Sequence, residues 1–449
     1  MRRRVEKDLD SWLESPRRKP LVIRGARQTG KTWLVRDLAA RHGLDLVEVN
    51  FERDPELGTL FSPGGPAEVL PRLSAALGRE IDWTGALLFL DEVQAAPEVL
   101  ARLRYFYEER PDLPVVAAGS LLEFALKEFK HSMPVGRVSY FYLCPMTFEE
   151  FLWAAGEKPL ADFLQASVET AEVPAALHEK ALELFRAYTV VGGMPEAVET
   201  WAETLSLFEV QDVQQTLLVT FQDDFNKYRD RVPAEALRAT LRGIVRQMGE
   251  KFVYSHVDEA ISYKTAKRAV EMLVDARLGQ KVNATHAKGL PLDDEVDERD
   301  FKVLFLDHGL AMKILGLEPI DATQLERCVW SNKGALGEQM VGQSLLAAAT
   351  PRDKRLFYWS RGGSATAEID FVTQRHGAVL PIEVKSGAAG KMRSLHLFMQ
   401  ERGLEHAWRF DLNPPSSRMV EVEVPGRGRA FYRLDSWPLY MACFLGEEG

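Results

Sequence analysis

Eight consecutive residues constrain this chain more tightly than any other feature: Gly25-Ala26-Arg27-Gln28-Thr29-Gly30-Lys31-Thr32. They follow a short apolar run at 21–24 and precede a helical pattern that opens Trp33-Leu34-Val35-Arg36. Apolar run, loop and helix in that order fit G-x-x-x-x-G-K-S/T, a loop that belongs at the end of a strand in a parallel α/β sheet. The glycines let the backbone curl so that its N–H groups converge on one point. The helix that begins there adds positive potential to the same point. Such a loop collects phosphate. Lys31 reaches the β- and γ-phosphates and Thr32 offers a hydroxyl to Mg²⁺. Gly25 to Trp33 are therefore candidate contacts for ATP with Mg²⁺.

The rest of 1–155 supports that sheet. Strand-like runs at 46–50, 87–90, 114–118 and 138–143 alternate with helical patterns, as in a parallel sheet with helices on its faces. Leu87-Leu88-Phe89-Leu90 is apolar throughout and ends in Asp91-Glu92. A run of that kind is a strand buried on both faces. It puts the acids at the strand's carboxyl end, where ligands of such sheets bind. There Asp91 holds Mg²⁺ and Glu92 polarises the attacking water. Ser120, after the next strand, either senses the γ-phosphate or caps a helix.

Composition narrows the class. The chain has 449 residues, enough for two to four domains, and a net charge of −10. A surface of that sign does not coat nucleic acid, so any such contact is local. Three cysteines without a CxxC pair form neither a disulfide framework nor a zinc cluster and fit a reducing cytoplasm. No apolar stretch of about 18 residues is present, so no membrane span is expected.

The remaining chain divides by pattern into a mainly helical 156–228, a mixed 229–315, a linker at 316–323, an α/β segment at 325–412, and a Pro-rich tail, 413–449, without a readable element. Within 234–282 three helices are expected. Ser255-His256-Val257-Asp258 carries a helix-start signature and Ser262 caps a second helix. Six Lys and Arg against two acids over 261–290 make a cationic face on an acidic protein. Lys264, Lys267 and Arg268 either touch a DNA backbone or form a solvated face. The acidic run that includes Asp293, Asp294, Asp297 and Glu298 opposes the first reading.

Further along, 367–372 and 378–385 read as two strands joined near His376-Gly377. Alternation puts Glu383 and Lys385 on one face, and a hairpin brings Asp370 beside Glu383. Two adjacent carboxylates call for a cation between them, and Mg²⁺ takes such ligands.

Two resemblances follow. Gly-Ala-Arg-Gln-Thr-Gly-Lys-Thr, Leu-Asp-Glu-Val-Gln, Ala-Gly-Ser, Cys-Pro-Met-Thr-Phe-Glu-Glu-Phe and Gly-Gly-Met-Pro-Glu-Ala resemble prokaryotic AAA-family ATPases of the DUF4143 type over nearly the whole chain. That likeness implies a P-loop core, a helical lid closed near Gly193-Met194-Pro195, and a winged-helix module. It also implies an arginine, Arg137, that reaches a neighbouring copy's γ-phosphate; the alternative is a surface arginine paired locally. Asp370, Glu383 and Lys385, with Glu338 on the preceding helix, resemble the restriction-endonuclease-like PD-(D/E)xK fold, although Ile369 rather than Pro precedes Asp370. This implies Mg²⁺ on Glu338, Asp370 and Glu383, with either DNA cleavage or a silent domain that only binds DNA. The expected activity is ATP hydrolysis coupled to action on DNA; a nucleotide-gated switch and a DNA-binding scaffold stay open.

Overall fold

The computed structural model describes residues 1–62, 64–119, 122, 136–225, 231–319, 333–361, 367–385 and 392–445. Leu21–Arg24 (β1), Asp45–Asn50 (β2), Ala86–Asp91 (β3), Val115–Gly119 (β4) and Ser139–Tyr142 (β5) form a parallel sheet in the order β2-β3-β4-β1-β5. Side-chain alternation gives each face its own core. Val22, Leu88, Leu90 and Ala117 pack with Val69, Leu73, Leu103 and Phe106, from the helices Pro66–Ala76 and Glu98–Glu109. Leu21, Ile23, Leu87, Phe89 and Val116 pack with Leu9, Leu34 and Leu38, from Glu6–Glu14 and Lys31–Arg41. Helices on both faces are why β3 and β4 read as unbroken apolar runs.

Five helices follow, Phe148–Ala154 to Leu207–Asp224. The first is fixed by a capping box in which Thr147 Oγ1 accepts from Glu150 N and Glu150 Oε2 accepts from Thr147 N. The turn before the helix Pro195–Thr204 is locked. Gly193 N donates to Asp307 Oδ2 at 2.7 Å, and Met146 N donates to Gly193 O at 2.6 Å. A Cβ on Gly193 would fall 2.2 Å from Met146 O, so only glycine fits.

The expected three helices of 234–282 are two. Ala234–Arg246 and Tyr263–Asp275 form, the latter capped by Ser262, but the Ser255 signature yields only the 3-10 turn Tyr254–His256. Nearby donors are already committed: Phe252 N bonds Phe301 O and Val253 N bonds Gln247 Oε1, both at 2.8 Å. The chain entering the turn is thereby held extended.

A second sheet joins segments that the sequence pattern separates. Its strands are Gly279–Thr285 (β6), Val296–Phe305 (β7), Phe357–Ser360 (β8), Glu368–Arg375 (β9), Ala378–Val384 (β10), His406–Asp411 (β11), Ser416–Val424 (β12) and Gly428–Pro438 (β13), in the order β12-β13-β11-β10-β9-β8-β6-β7. β6 pairs with β8 in parallel, so 229–315 and 325–412 share one sheet. The tail is not irregular. β12 and β13 pair antiparallel over nine residue pairs, and Leu439–Cys443 tucks a 3-10 turn against the helix Ala175–Val191, where His178 Nδ1 lies 2.9 Å from Tyr440 Oη. One continuous core runs from Met146 and Phe148 through Tyr188 and Ile244 to Phe371, Tyr440 and Leu445. Of the expected linker, Gly316 to Pro319 are described, and Gln211 Nε2 donates to Pro319 O. Among the described residues no helix is long and apolar enough to cross a membrane.

Candidate functional site

The loop between β1 and the helix Lys31–Arg41 is closed by Thr29 Oγ1, which donates to Ala26 O at 2.9 Å. Gly30 stands at the helix start with φ +93°. Lys31 is buried, and its Nζ donates to Gly25 O at 3.0 Å and Ala26 O at 2.7 Å. Burial lowers its pKa to about 8, against the opposing pull of Glu92 and Asp91. Beside it, at the end of β3, Asp91 Oδ2 accepts from Thr32 Oγ1 at 3.2 Å and from Asn50 Nδ2 at 3.3 Å. Burial, then the charge of Glu92, raises the Asp91 pKa. The Thr32 hydroxyl, which lines the adjoining cleft, and the Asp91 carboxylate bonded to it are adjacent hard oxygens, and they fit Mg²⁺ that completes its shell with water and phosphate.

Glu92 sits in the left-handed region, φ +50°, a strained conformation for a non-glycine residue. Gln94 Nε2 donates to Glu92 Oε2 at 2.5 Å. A Cβ at Gly119, the end of β4, would lie 2.2 Å from Gln94 Oε1, so the missing side chain there is what admits the amide. The cleft has a volume of about 480 Å³ and is lined by Lys31, Thr32, Trp33, Glu92, Met146, Pro195 and Glu199. That size suits a nucleotide-sized ligand.

Two cations tie the loop to its surroundings. Arg3 is buried: Nε donates to Glu150 Oε1 at 2.9 Å, Nη1 to Thr29 O at 2.9 Å and Nη2 to Cys144 O at 2.8 Å. Arg27 Nη1 lies 2.8 Å from both carboxylate oxygens of Asp224, at the end of the helix Leu207–Asp224. Gln94 closes the Leu-Asp-Glu-Val-Gln motif quoted above, which assigned it no role, and Arg3 stands near the start of the chain outside any of those motifs.

The second charged centre lies at the β9–β10 hairpin. Ala378 to Ile382 pair with Arg375 to Phe371, and Val384 N donates to Asp370 Oδ2 at 2.6 Å. Asp370 and Glu383 are buried at 7% and 4% exposure, not on an open strand face. Lys385 Nζ lies 2.6 Å from Glu383 Oε1. Lys302, from β7, places Nζ 3.1 Å from Glu338 Oε2 and against Glu368 Oε1 as well. Glu383 Oε2 is buried with no hydrogen-bond partner among the described residues. Burial, then Asp370, raises the pKa of Glu338 and Glu383, and burial raises that of Asp370. Burial alone would lower Lys302, but Glu338, Glu368 and Asp370 more than reverse it.

The expected metal set of Glu338, Asp370 and Glu383 is not assembled. Among the described residues no three His, Cys, Asp or Glu groups converge to hold a metal ion. The physical reason is the two lysines, which take the carboxylate oxygens a metal would need. The donor types suit Mg²⁺; their arrangement here does not.

The other expected residues are dispersed. Arg137 is half exposed, at the amino end of β5 and so opposite the phosphate loop, with Nε 3.0 Å from Glu108 Oε1. It does not reach the cleft of its own chain. Ser120 lies outside the described residues. Lys264, Lys267 and Arg268 all face solvent on the helix Tyr263–Asp275, and Asp293, Asp294, Asp297 and Glu298 are exposed nearby in sequence.

Comparison with known proteins bears on each segment. Residues 333–410 match a domain of unknown function, DUF4143. Residues 182–321 match another, DUF8612, which runs across the division expected at 228/229. No curated protein matches. Among solved structures, the Walker-type ATPase PABY2304 of Pyrococcus abyssi aligns at 17% identity over 70% of this chain and 95% of its own, with a TM-score of 0.43. The Thermotoga maritima RuvB Holliday junction branch migration motor aligns at 14% identity over 62% and 88%, TM-score 0.30. The Aeropyrum pernix ORC2 protein aligns at 13% identity over 73% and 95%, TM-score 0.32. Residues 17–152, the segment that carries the phosphate loop and the sheet β1 to β5, match the family model described as AAA domain.

Proposed function

We propose that the chain hydrolyses ATP with Mg²⁺ in the cleft beneath the lid, and that the nucleotide state is passed to the C-terminal half, which acts on DNA. One observation carries the hydrolysis: Lys31, Thr32 and Glu92 line one cleft with Pro195 and Glu199, and Thr32 Oγ1 bonds Asp91 at the end of β3. Lys31 leaves the Gly25 and Ala26 carbonyls and follows the negative charge onto the phosphates. Glu92 accepts a proton from the attacking water, with Gln94 fixing the carboxylate's direction. The lid side of the cleft excludes bulk water. Thr32 and Asp91 would hold Mg²⁺, which would supply positive charge against the phosphates. The packed path from Met146 through Gly193 to Asp307 supports the coupling, because Gln343 Nε2, on the same helix as Glu338, donates to Asp307 Oδ2.

DNA is the proposed partner because Lys264, Lys267 and Arg268 stand free in solvent on a capped helix; exposed acids beyond β6 confine contact to that helix. A role for Arg137 in hydrolysis requires a second copy of the chain. A second reading, a nucleotide-gated switch or DNA-binding scaffold whose nuclease-like domain is silent, is favoured by the lysines that fill the acidic centre.

Two variants test the hydrolysis. Lys31→Ala is expected to abolish nucleotide binding in calorimetry. Glu92→Gln is expected to keep ATP bound while steady-state turnover falls by roughly 10²–10⁴-fold. Parent-like turnover in both variants would overturn the assignment.

A further inference from the structure

We propose that Arg27 reads the γ-phosphate: it gives up the carboxylate of Asp224 for the third phosphate of a nucleoside triphosphate, so that triphosphate, and not diphosphate, frees the end of the helix Leu207–Asp224. This rests on reading the cleft at Lys31 as a nucleotide site.

Lys31, Arg3 and Arg27 meet at the phosphate loop and are held differently. Lys31 lies on two backbone carbonyls. Arg3 is fixed by three acceptors, Glu150 Oε1, Thr29 O and Cys144 O, on a side chain only 5% exposed. Arg27 is held more lightly. Among the described residues its hydrogen bonds run from one nitrogen, Nη1, to one carboxylate, and its side chain is 30% exposed. The loop itself fixes where Arg27 stands, two residues beyond Gly25 and four before Lys31. It lines the same cleft as Lys31, Thr32 and Glu92. A guanidinium carries a fork of N–H donors that fits phosphate as well as carboxylate, so one can replace the other.

The charges around Arg27 set the direction. Burial disfavours its cation, but Asp224, and after it Glu52 and Glu92, more than reverse this and raise its pKa. Glu92 is assigned to the water that attacks the γ-phosphate, so a cation that feels Glu92 stands on the γ side of the loop. At the other end of the pair, the helix Leu207–Asp224 closes on Asp223-Asp224 with no base in its last turn. Acids there oppose the helix dipole, and Arg27 brings positive charge to that end. Once phosphate takes the guanidinium, the last turn loses that charge and loosens.

The test is calorimetry on the full chain with the magnesium salts of a non-hydrolysable ATP analogue and of ADP. Arg27→Ala is expected to bind the triphosphate at least about tenfold more weakly, and ADP within about twofold of the parent. Asp224→Asn is expected to bind the triphosphate about threefold or more tightly, with ADP unchanged, because the competing carboxylate is gone. Asp224→Asn added to Arg27→Ala is expected to change neither affinity further. In the parent, hydrogen–deuterium exchange at 221–225 is expected to quicken with the triphosphate and not with ADP. Equal losses for the two nucleotides in Arg27→Ala, or an unchanged or weaker triphosphate affinity in a folded Asp224→Asn, overturn the switch and leave the cleft reading standing. Quickening with both nucleotides, or with neither, overturns it too. If Arg27→Ala does not fold, Arg27→Gln takes its place with the same expectation. If neither folds, the pair is a fixed structural tie and the switch is likewise overturned. A parent that binds neither nucleotide overturns the cleft reading, and the switch with it.

Discussion

The P-loop cleft and the acidic centre use the same residue types and treat charge in opposite ways. In the cleft, Lys31 rests on two backbone carbonyls, while Asp91 and Glu92 are met by Thr32, Asn50 and Gln94. Lysine and carboxylates stay apart, so both signs remain available to a ligand that carries phosphate and metal together. In the acidic centre, Lys302 and Lys385 lie directly on carboxylates. Buried pairs of that kind offset much of their own field at a desolvation cost, and what remains is bound to be smaller. The difference teaches that a lysine near carboxylates marks a ligand site only when something neutral holds the lysine away from them.

The largest effect that sharpens this comparison, after Glu92→Gln, is expected from Gln94→Ala. Without the amide, the Glu92 carboxylate loses its hydrogen bond from Gln94, and kcat is expected to fall about a hundredfold with KM for ATP little changed. A rise in KM with kcat unchanged would mean that Gln94 serves binding instead. Glu383→Gln, the matching change in the other centre, is expected to leave ATP turnover alone.

A smaller effect concerns pH. Lys31 in the free protein has a pKa lowered to about 8, and triphosphate raises it in the complex. Below that pH the lysine is already charged and affinity is flat. Above it binding must take up a proton, so ATP affinity is expected to fall by up to about tenfold per pH unit until the pKa of the complex is passed. Fluorescent-nucleotide titration checks this; flat affinity through alkaline pH in the parent would contradict it. Lys302, whose pKa lies above the ordinary lysine value, is expected to add nothing in the same range.

What could be read from the chain follows the same division. β1 to β5 were legible because each is a short apolar run and the loop motif fixes their context, and Asp91 and Glu92 fall where the run ends. β9 and β10 were legible by alternation about His376-Gly377. β13 carried a signal that went unread: Ala430, Tyr432 and Leu434 are buried while Arg429, Phe431 and Arg433 are exposed. The flanking prolines and glycines, and the polar edge strand β12, hid it. Lys302 was not legible at all. It sits in the buried half of β7, among Phe301, Val303, Leu304 and Phe305, and its partner Glu338 is 36 residues away. The helix Lys333–Ala348 packs on β7, where Gln339 bonds both Phe305 N and Phe305 O, and no local pattern encodes that contact across such a distance. Arg3 is the same case, meeting Glu150 across 147 residues.

The most direct measurement of the contrast between the two centres is the number of Mn²⁺ ions bound per chain with and without ATP, at a concentration that saturates the P-loop site. One ion, present only with ATP and lost in Asp91→Asn, is the expected result. An ion bound without ATP, retained in Asp91→Asn and lost in Asp370→Asn, would contradict it.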